Sequence, residues 1–255
     1  MVFFTVLSLT LLTFAALIVF CHWMQHPLPS ARRVLFITAH PDDETMFFAP
    51  TLRGLAQAGT EVYLLCLTTG DNEGLGWKRK RELMKAVSIL GAKEENVTIL
   101  DYDIFQDGLV LWNEELLGKV ILRFIQTLEV DMVVTFDEGG VSSHPNHIAC
   151  FTSVQYLYTR ALVPADIQIF VLESVPIWRK YLTGLDALIS SLHSTFLYVS
   201  PLYCYLSTWR AMSAHASQLL WFRYLYMLFS RYVLINTLKR IHISHRFHMI
   251  TKKIY

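Results

Sequence analysis

Acidic residues stop at Asp186: residues 187–255 hold none, yet carry Arg210, Arg223, Arg231, Lys239, Arg240, Arg246, Lys252 and Lys253. The first 186 residues are accordingly net acidic, although the whole chain balances at a formal +1. An acidic body argues against nucleic-acid binding and leaves an anionic partner only for the C-terminal part. Charge of either sign is missing from residues 2–21, VFFTVLSLTLLTFAALIVFC. At about 1.5 Å rise per residue such a run is long enough to cross a hydrocarbon core. It lacks the basic n-region of a signal peptide, exceeds the usual apolar length, and no small-x-small cleavage site precedes HWMQHPLPS. Residues 1–22 are therefore expected to be a transmembrane anchor, followed by a linker over 23–32. Arg32 and Arg33 lie on its C-terminal side, which places the body in the cytoplasm. The sequon Asn96-Val97-Thr98 would then stay unmodified.

Paired cysteines are also missing. Cys21, Cys66, Cys150 and Cys204 are scattered without a CxxC, which excludes a disulfide framework or thiolate zinc site and fits a reducing compartment. There is no repeat of fixed period, no low-complexity tract and no GxGxxG phosphate fingerprint.

What is present is apolar, with mean hydropathy +0.37, and it alternates. Strands are expected at Arg33–Ala39, Glu61–Thr68, Asn96–Asp101, Asp131–Phe136 and Asp166–Leu172. Helices are expected at about Thr45–Ala58, Arg79–Leu90, Asn113–Leu128 and His147–Arg160, with Gly59 and Gly91 as stops. This pattern predicts an α/β domain over residues 33–220, Rossmann-like and doubly wound, its sheet mostly parallel in the order 3-2-1-4-5. Residues 221–255 read as a basic aromatic tail, suited to a membrane interface or to an amphipathic helix closing the core, on different faces both.

The first strand ends abruptly in RVLFITAHPDDE. Burying His40, Asp42, Asp43 and Glu44 at a strand tip costs several kcal/mol unless they are paired or bind something; a Pro-Asp turn capping the next helix is the plain alternative. The fourth strand, DMVVTFDEGG, runs into VSSHPNH. Strands one and four are neighbours in the expected order, so the two polar clusters meet across one crevice. His40, Asp43 and His147 then supply two imidazoles and a carboxylate, the donor set of a catalytic Zn²⁺ with one open position. Such a metal polarises a carbonyl and lowers the pKa of water. Asp42 is left as general base, and His144 can face the substrate carbonyl.

AHPDDE followed by HPNH on this framework resembles the LmbE-like, or PIG-L, family of zinc-dependent de-N-acetylases over roughly residues 33–220. The resemblance is nearest to the branch acting on N-acetylglucosaminyl-phosphatidylinositol in GPI-anchor synthesis. It implies metal ligands His40, Asp43 and His147, base Asp42 and oxyanion partner His144. It also implies a lipid-linked amino sugar as substrate and the endoplasmic reticulum membrane as location, with no nucleic-acid partner. Many members have Asp where this chain has Asn146; if that Asp orients a histidine, Asn146 leaves His144 less easily protonated. Weaker signals are TTGDNEG (Thr68–Gly74), either a plain turn or a sugar-site border, and Arg79, either reaching substrate or ion-paired in solvent with Glu82 at i+3. Asp107 in QDG is either a turn residue or a hydroxyl acceptor, and His215 and Gln218 in HASQ would share a helical face near the site. The competing functions are deacetylation of a soluble amino-sugar conjugate and sugar or lipid binding without turnover. Asp42 argues against the second, since a binder needs no base.

Overall fold

The computed structural model describes residues 2–23 and 25–241. In chain order its first half holds α1 (Val2–Trp23), β1 (Arg33–Thr38), α2 (Asp43–Met46), α3 (Ala49–Gln57), β2 (Glu61–Cys66), α4 (Gly76–Leu90), β3 (Val97–Ile99) and α5 (Glu114–Thr127). The second half holds β4 (Met132–Phe136), α6 (Gly140–Ser143), α7 (Pro145–Thr159), β5 (Gln168–Leu172), α8 (Ile177–Lys180) and α9 (Asp186–His193). β6 (Phe196–Val199), α10 (Leu202–Ala214), α11 (Trp221–Phe229) and β7 (Ile235–Arg240) complete it.

The seven strands form one sheet in the order β3-β2-β1-β4-β5-β7-β6. β1 to β5 are parallel and follow the expected 3-2-1-4-5 order. β7 then runs antiparallel to β5, and β6 antiparallel to β7, so the sheet is mixed rather than parallel throughout. β1 is buried along its length after Arg33, and β4 throughout. The apolar runs that predicted these strands are thus the two-sided central strands of an α/β sheet. α3, α4 and α10 pack on one another, as do α5 and α7, giving the helical layers.

Two differences from the sequence reading have a common cause. The single helix expected at Thr45–Ala58 is two helices, because Pro50 in the first turn of α3 has no N–H to continue the ladder. The backbone groups left over at the break are taken up from the C-terminal segment: Tyr226 donates its hydroxyl to the Met46 carbonyl at 3.1 Å, and Asn236 Nδ2 donates to the Phe47 carbonyl at 2.7 Å. Residues 221–241, read as a tail, are therefore built into the domain as α11 and β7. Their cations are mostly paired within it. Arg223 lies 3.3 Å from Asp42, Lys239 lies 2.9 Å from Glu138, and fully buried Arg231 sits 2.8 Å from buried Asp186, which also takes Arg179 at 2.6 Å. Arg246, Lys252, Lys253 and the rest of 242–255 lie outside the described residues.

The linker is not a free tether either. His26 and Leu197 exchange backbone hydrogen bonds of 3.1 and 2.7 Å, and the Leu28 N–H reaches the Tyr198 hydroxyl at 3.2 Å. α1 packs against α9 and β6. Counted over the described residues, no helix is long and apolar enough to cross a membrane; several side chains of α1 fall outside that set. Cys66, Cys150 and Cys204 are buried free thiols.

Candidate active site

The segments leaving the C-terminal ends of β1 and β4 meet where the strand order reverses, and they bring the two histidine clusters together. His40, His144 and His147 each offer a ring nitrogen, all within 4.8 Å of one another. Asp43 joins them: its Oδ2 accepts the backbone N–H groups of Ala39 and His40 at 3.0 and 2.8 Å. Its Oδ1 lies 3.2 Å from His147 Nε2.

Each imidazole is held by its far nitrogen. His147 donates Nδ1–H to the Gly140 carbonyl at 3.0 Å and stacks on Phe136, with ring centroids 4.1 Å apart and planes 2° from parallel. His40 Nε2 lies 2.9 Å from Asp107 Oδ1 and 3.1 Å from Asn146 Oδ1. The remaining lone pairs, on His40 Nδ1 and His147 Nε2, face each other at 3.3 Å beside the Asp43 carboxylate. Two lone pairs and an anion pointed at one another repel unless a cation or a proton lies between them. The donor set therefore fits a divalent metal. In the absence of a metal, burial disfavours charge on His40, but the Asp107 and Asp43 carboxylates outweigh it and push its pKa up to about 10, so a proton takes the place a metal would fill.

Backbone strain concentrates here. Asp42 adopts φ 126°, a left-handed conformation rare outside glycine, and its N–H donates to Glu44 Oε2 at 3.1 Å. In the second loop Gly140, Val141 and Ser143 all have positive φ. A side chain at Gly140 would meet the His147 Cβ at 3.0 Å, so glycine is required beside His147. Asp137 closes this turn by accepting from the Gly139 N–H at 3.0 Å and the Ser174 N–H at 2.6 Å.

Asp42 is buried at the base of the crevice. Burial raises its pKa, while Arg223 and Arg79 pull it back down. Arg79 NH2 is 3.6 Å from Asp42 Oδ1, and Arg79 also donates to the carbonyls of Pro41 at 2.8 Å and Gly70 at 2.9 Å. It is thus buried between the loops, not ion-paired with Glu82 in solvent. Glu82 instead accepts from the Ser217 N–H and hydroxyl at 3.0 and 2.6 Å. That pull makes HASQ a turn after α10, so His215 and Gln218 do not share a helical face. His215 is fully buried and lies 2.7 Å from Glu44, while Gln218 Nε2 donates to Ser217 Oγ at 3.3 Å.

His144 caps α7, accepting the Asn146 N–H on Nδ1 at 3.3 Å. Its ring is half-buried, and burial, then the neighbouring His40 and His147, hold its pKa down at about 4. The Asn146 side chain turns away from it. Its Oδ1 meets His40 and the Gly108 N–H, and its Nδ2 donates to the Val110 carbonyl at 3.0 Å. Asn146 so ties the Asp107 loop to the site. That loop and TTGDNEG line one polar cavity of about 280 Å³, through Thr68, Thr69, Asp71, Asn72, Gln106 and Asp107. Two residues were given no role at the site from the sequence. Glu44 was visible as the third carboxylate of PDDE, but Arg223, 181 residues from its partner, left no local signal.

Comparisons with known proteins point to one family. The PIG-L: GlcNAc-PI de-N-acetylase family model matches residues 35–157, which contain both histidine clusters. The Bos taurus N-acetylglucosaminyl-phosphatidylinositol de-N-acetylase is 44% identical over 208 residues, covering 81% of this chain and 82% of its own. The chain belongs to the PIG-L family. A Schizosaccharomyces pombe relative, a probable N-acetylglucosaminyl-phosphatidylinositol de-N-acetylase, is 38% identical and covers 81% of this chain and 86% of its own. The fold is also that of N,N'-diacetylchitobiose deacetylase from Pyrococcus horikoshii, with TM-score 0.63 at 18% identity over 89% of this chain and 91% of that one. That likeness extends over more of the chain than the segment the family model matches.

Proposed function

We propose that this chain hydrolyses the acetamide of N-acetylglucosaminyl-phosphatidylinositol, releasing acetate and a free amino sugar on the lipid. The observation that carries the reading is the convergence of His40 Nδ1, Asp43 Oδ1 and His147 Nε2 beside a buried, strained Asp42. A pure sugar-binding subunit has no use for that base.

His40, Asp43 and His147 would hold one divalent ion, zinc by the nitrogen and oxygen character of the donors. When bound, the ion supplies Lewis-acid polarisation and makes water a better nucleophile. Asp42 accepts the proton of the water that adds to the acetyl carbon. His144, whose Nδ1 is occupied by the Asn146 N–H, is left with Nε2–H to donate to the developing oxyanion. Its lowered pKa favours a neutral donor over an acid, so the proton needed by the leaving amine returns from Asp42. The C–N bond then breaks to give the amine and acetic acid, whose remaining proton passes to the amine, leaving acetate and an ammonium group.

Asp107 and Asn146 orient His40, and Arg79 clamps Pro41, Gly70 and Asp42 in one arrangement. Asp107 also lines the polar cavity, where sugar hydroxyls would lie. His215 acts through Glu44, which holds the Asp42 N–H, and Gln218 stands at the rim of the same turn.

The uncharged run of residues 2–21 supports α1 as a single membrane anchor, the proposed GPI-anchor precursor as substrate supports the endoplasmic reticulum, and Arg32 and Arg33 after the run support a catalytic body facing the cytoplasm. The test is acetate release from the lipid-linked substrate, with metal content measured in parallel. His147→Ala should lose both turnover and metal. Full metal occupancy in that variant would remove His147 from the ligand set.

A further inference from the structure

α11 has two faces with different business. Its residues at i, i+3 and i+4 turn inward: Arg223 meets Asp42 at 3.3 Å, Tyr226 donates to the Met46 carbonyl, and Met227 is buried. The rest of the nine-residue helix is apolar and points outward, with Trp221 75% exposed and Leu225 and Leu228 each 50% exposed. Such a face is not stable in water for its own sake; an exposed apolar stripe of this kind marks a contact.

A second segment repeats the arrangement. The loop carrying Asp107 is pinned from beneath by buried Phe105 and Trp112, whose rings pack at 5.8 Å, and by Asn146. Asp107 points in, to His40. Leu109 and Leu111 point out, 84% and 83% exposed. Arg79 spans the two segments, lying 3.6 Å from Asp42 and 3.8 Å from Asp107. Both walls of the crevice thus present apolar side chains outward and a catalytic-site contact inward.

We infer that the outer face of α11, with Leu109 and Leu111, seats on the lipid bilayer and sets the mouth of the crevice at the membrane surface. The inference rests on the proposed lipid-linked substrate. An acetamide within a few bonds of a phosphatidylinositol headgroup can reach His40 and His147 only if the crevice opens at headgroup level. Aromatic and aliphatic side chains inserted at that depth are what an interfacial helix uses. On α11 charge is compatible, since no acidic residue follows Asp186 in sequence, whereas the Leu109–Leu111 segment, flanked by Asp103 and Glu114, would contribute through its apolar side chains alone. A second protein chain would be an equally apolar occupant, but it would close the entrance that the substrate needs.

The experiment uses the full chain in vesicles of phosphatidylcholine and phosphatidylinositol, with wild type compared against Trp221→Ser/Leu225→Ser and Leu109→Ser/Leu111→Ser. These side chains are exposed. Each pair should lower the rate on bilayer-held substrate by about tenfold or more, from lost apolar insertion. The rate on the deacylated, water-soluble analogue should be unchanged. Independently, bromine-labelled acyl chains should quench a share of the tryptophan emission that Trp221→Phe removes. Equal losses on both substrates, or no loss on either, would overturn the inference, as would quenching that Trp221→Phe leaves unaltered. If wild type deacetylates neither substrate, the proposed activity fails, while the quenching still decides whether the bilayer is touched.

Discussion

Asp42 sits where three demands meet: it must stay ionised, stay buried and hold a left-handed backbone. Non-glycine residues at such φ cost on the order of 1–3 kcal/mol and persist where their surroundings over-determine them. Here Glu44 holds the N–H while Arg79 and Arg223 flank the carboxylate. Asp42→Asn preserves shape and removes the proton acceptor, so kcat should fall on the order of 10²–10⁴ with the metal retained. Near-normal kcat in that variant would place the base elsewhere. Arg223 provides a finer check. Burial raises the Asp42 pKa and Arg223 opposes the rise, so Arg223→Gln should raise it further. Activity requires ionised Asp42 and is lost as pH falls through its pKa. The acid limb of the kcat/KM profile should therefore move to higher pH in the variant. A loss of rate with an unmoved limb would make Arg223 a structural residue only. His40, Asp42, Asp43 and His147 were all legible, because each lies in a polar interruption of an apolar run. Arg223 was not: a lone arginine in WFRYLYMLF carries no sign of the carboxylate it meets.

At the scale of elements, the C-terminal segment shows how pairing changes the meaning of a charge. Arg231 reads as part of a basic tail, yet it is fully buried against Asp186, with Ser190 Oγ at 3.0 Å. The pair fastens α9 to the turn preceding β7. Such a pair contributes little beyond a well-packed apolar substitute, but removing one partner strands the other charge in the core. Asp186→Ala should therefore destabilise by about 3–5 kcal/mol, read from the midpoint of urea unfolding. A change under about 1 kcal/mol would mean that the arginines find water or another acceptor. The helix after β1 teaches the same lesson locally. Its apolar periodicity is continuous from Thr45 to Ala58, but Pro50 breaks it, and the freed carbonyls are what Tyr226 and Asn236 bind.

For the whole molecule, the question is how a crevice in an α/β domain meets a substrate held in a bilayer. The proposed anchor and the domain are closely joined, because the linker is laid along β6 rather than left loose. Deleting residues 2–21 should cut turnover of the lipid-linked substrate far more than turnover of a soluble analogue, since the metal ligands are untouched. Equal losses would show that α1 supports the domain's fold instead, through its packing on α9 and β6. In membranes, Asn96 should give no glycosidase-sensitive mobility shift; a shift abolished by Asn96→Gln would put the body in the lumen.

The sequence by itself determined the parallel half of the sheet and the meeting of HPDDE with HPNH, because apolar periodicity is local and alternating strands and helices take few strand orders. It also determined the donor types at the site, since side-chain chemistry does not depend on folding. The tertiary structure alone decided that β7 inserts between β5 and β6, that Asn146 serves His40 and the Asp107 loop rather than His144, and that Arg223 reaches Asp42. These are contacts between groups far apart in the chain. Which distant partner a buried charge or amide takes is settled by packing geometry, and no window of sequence contains that geometry.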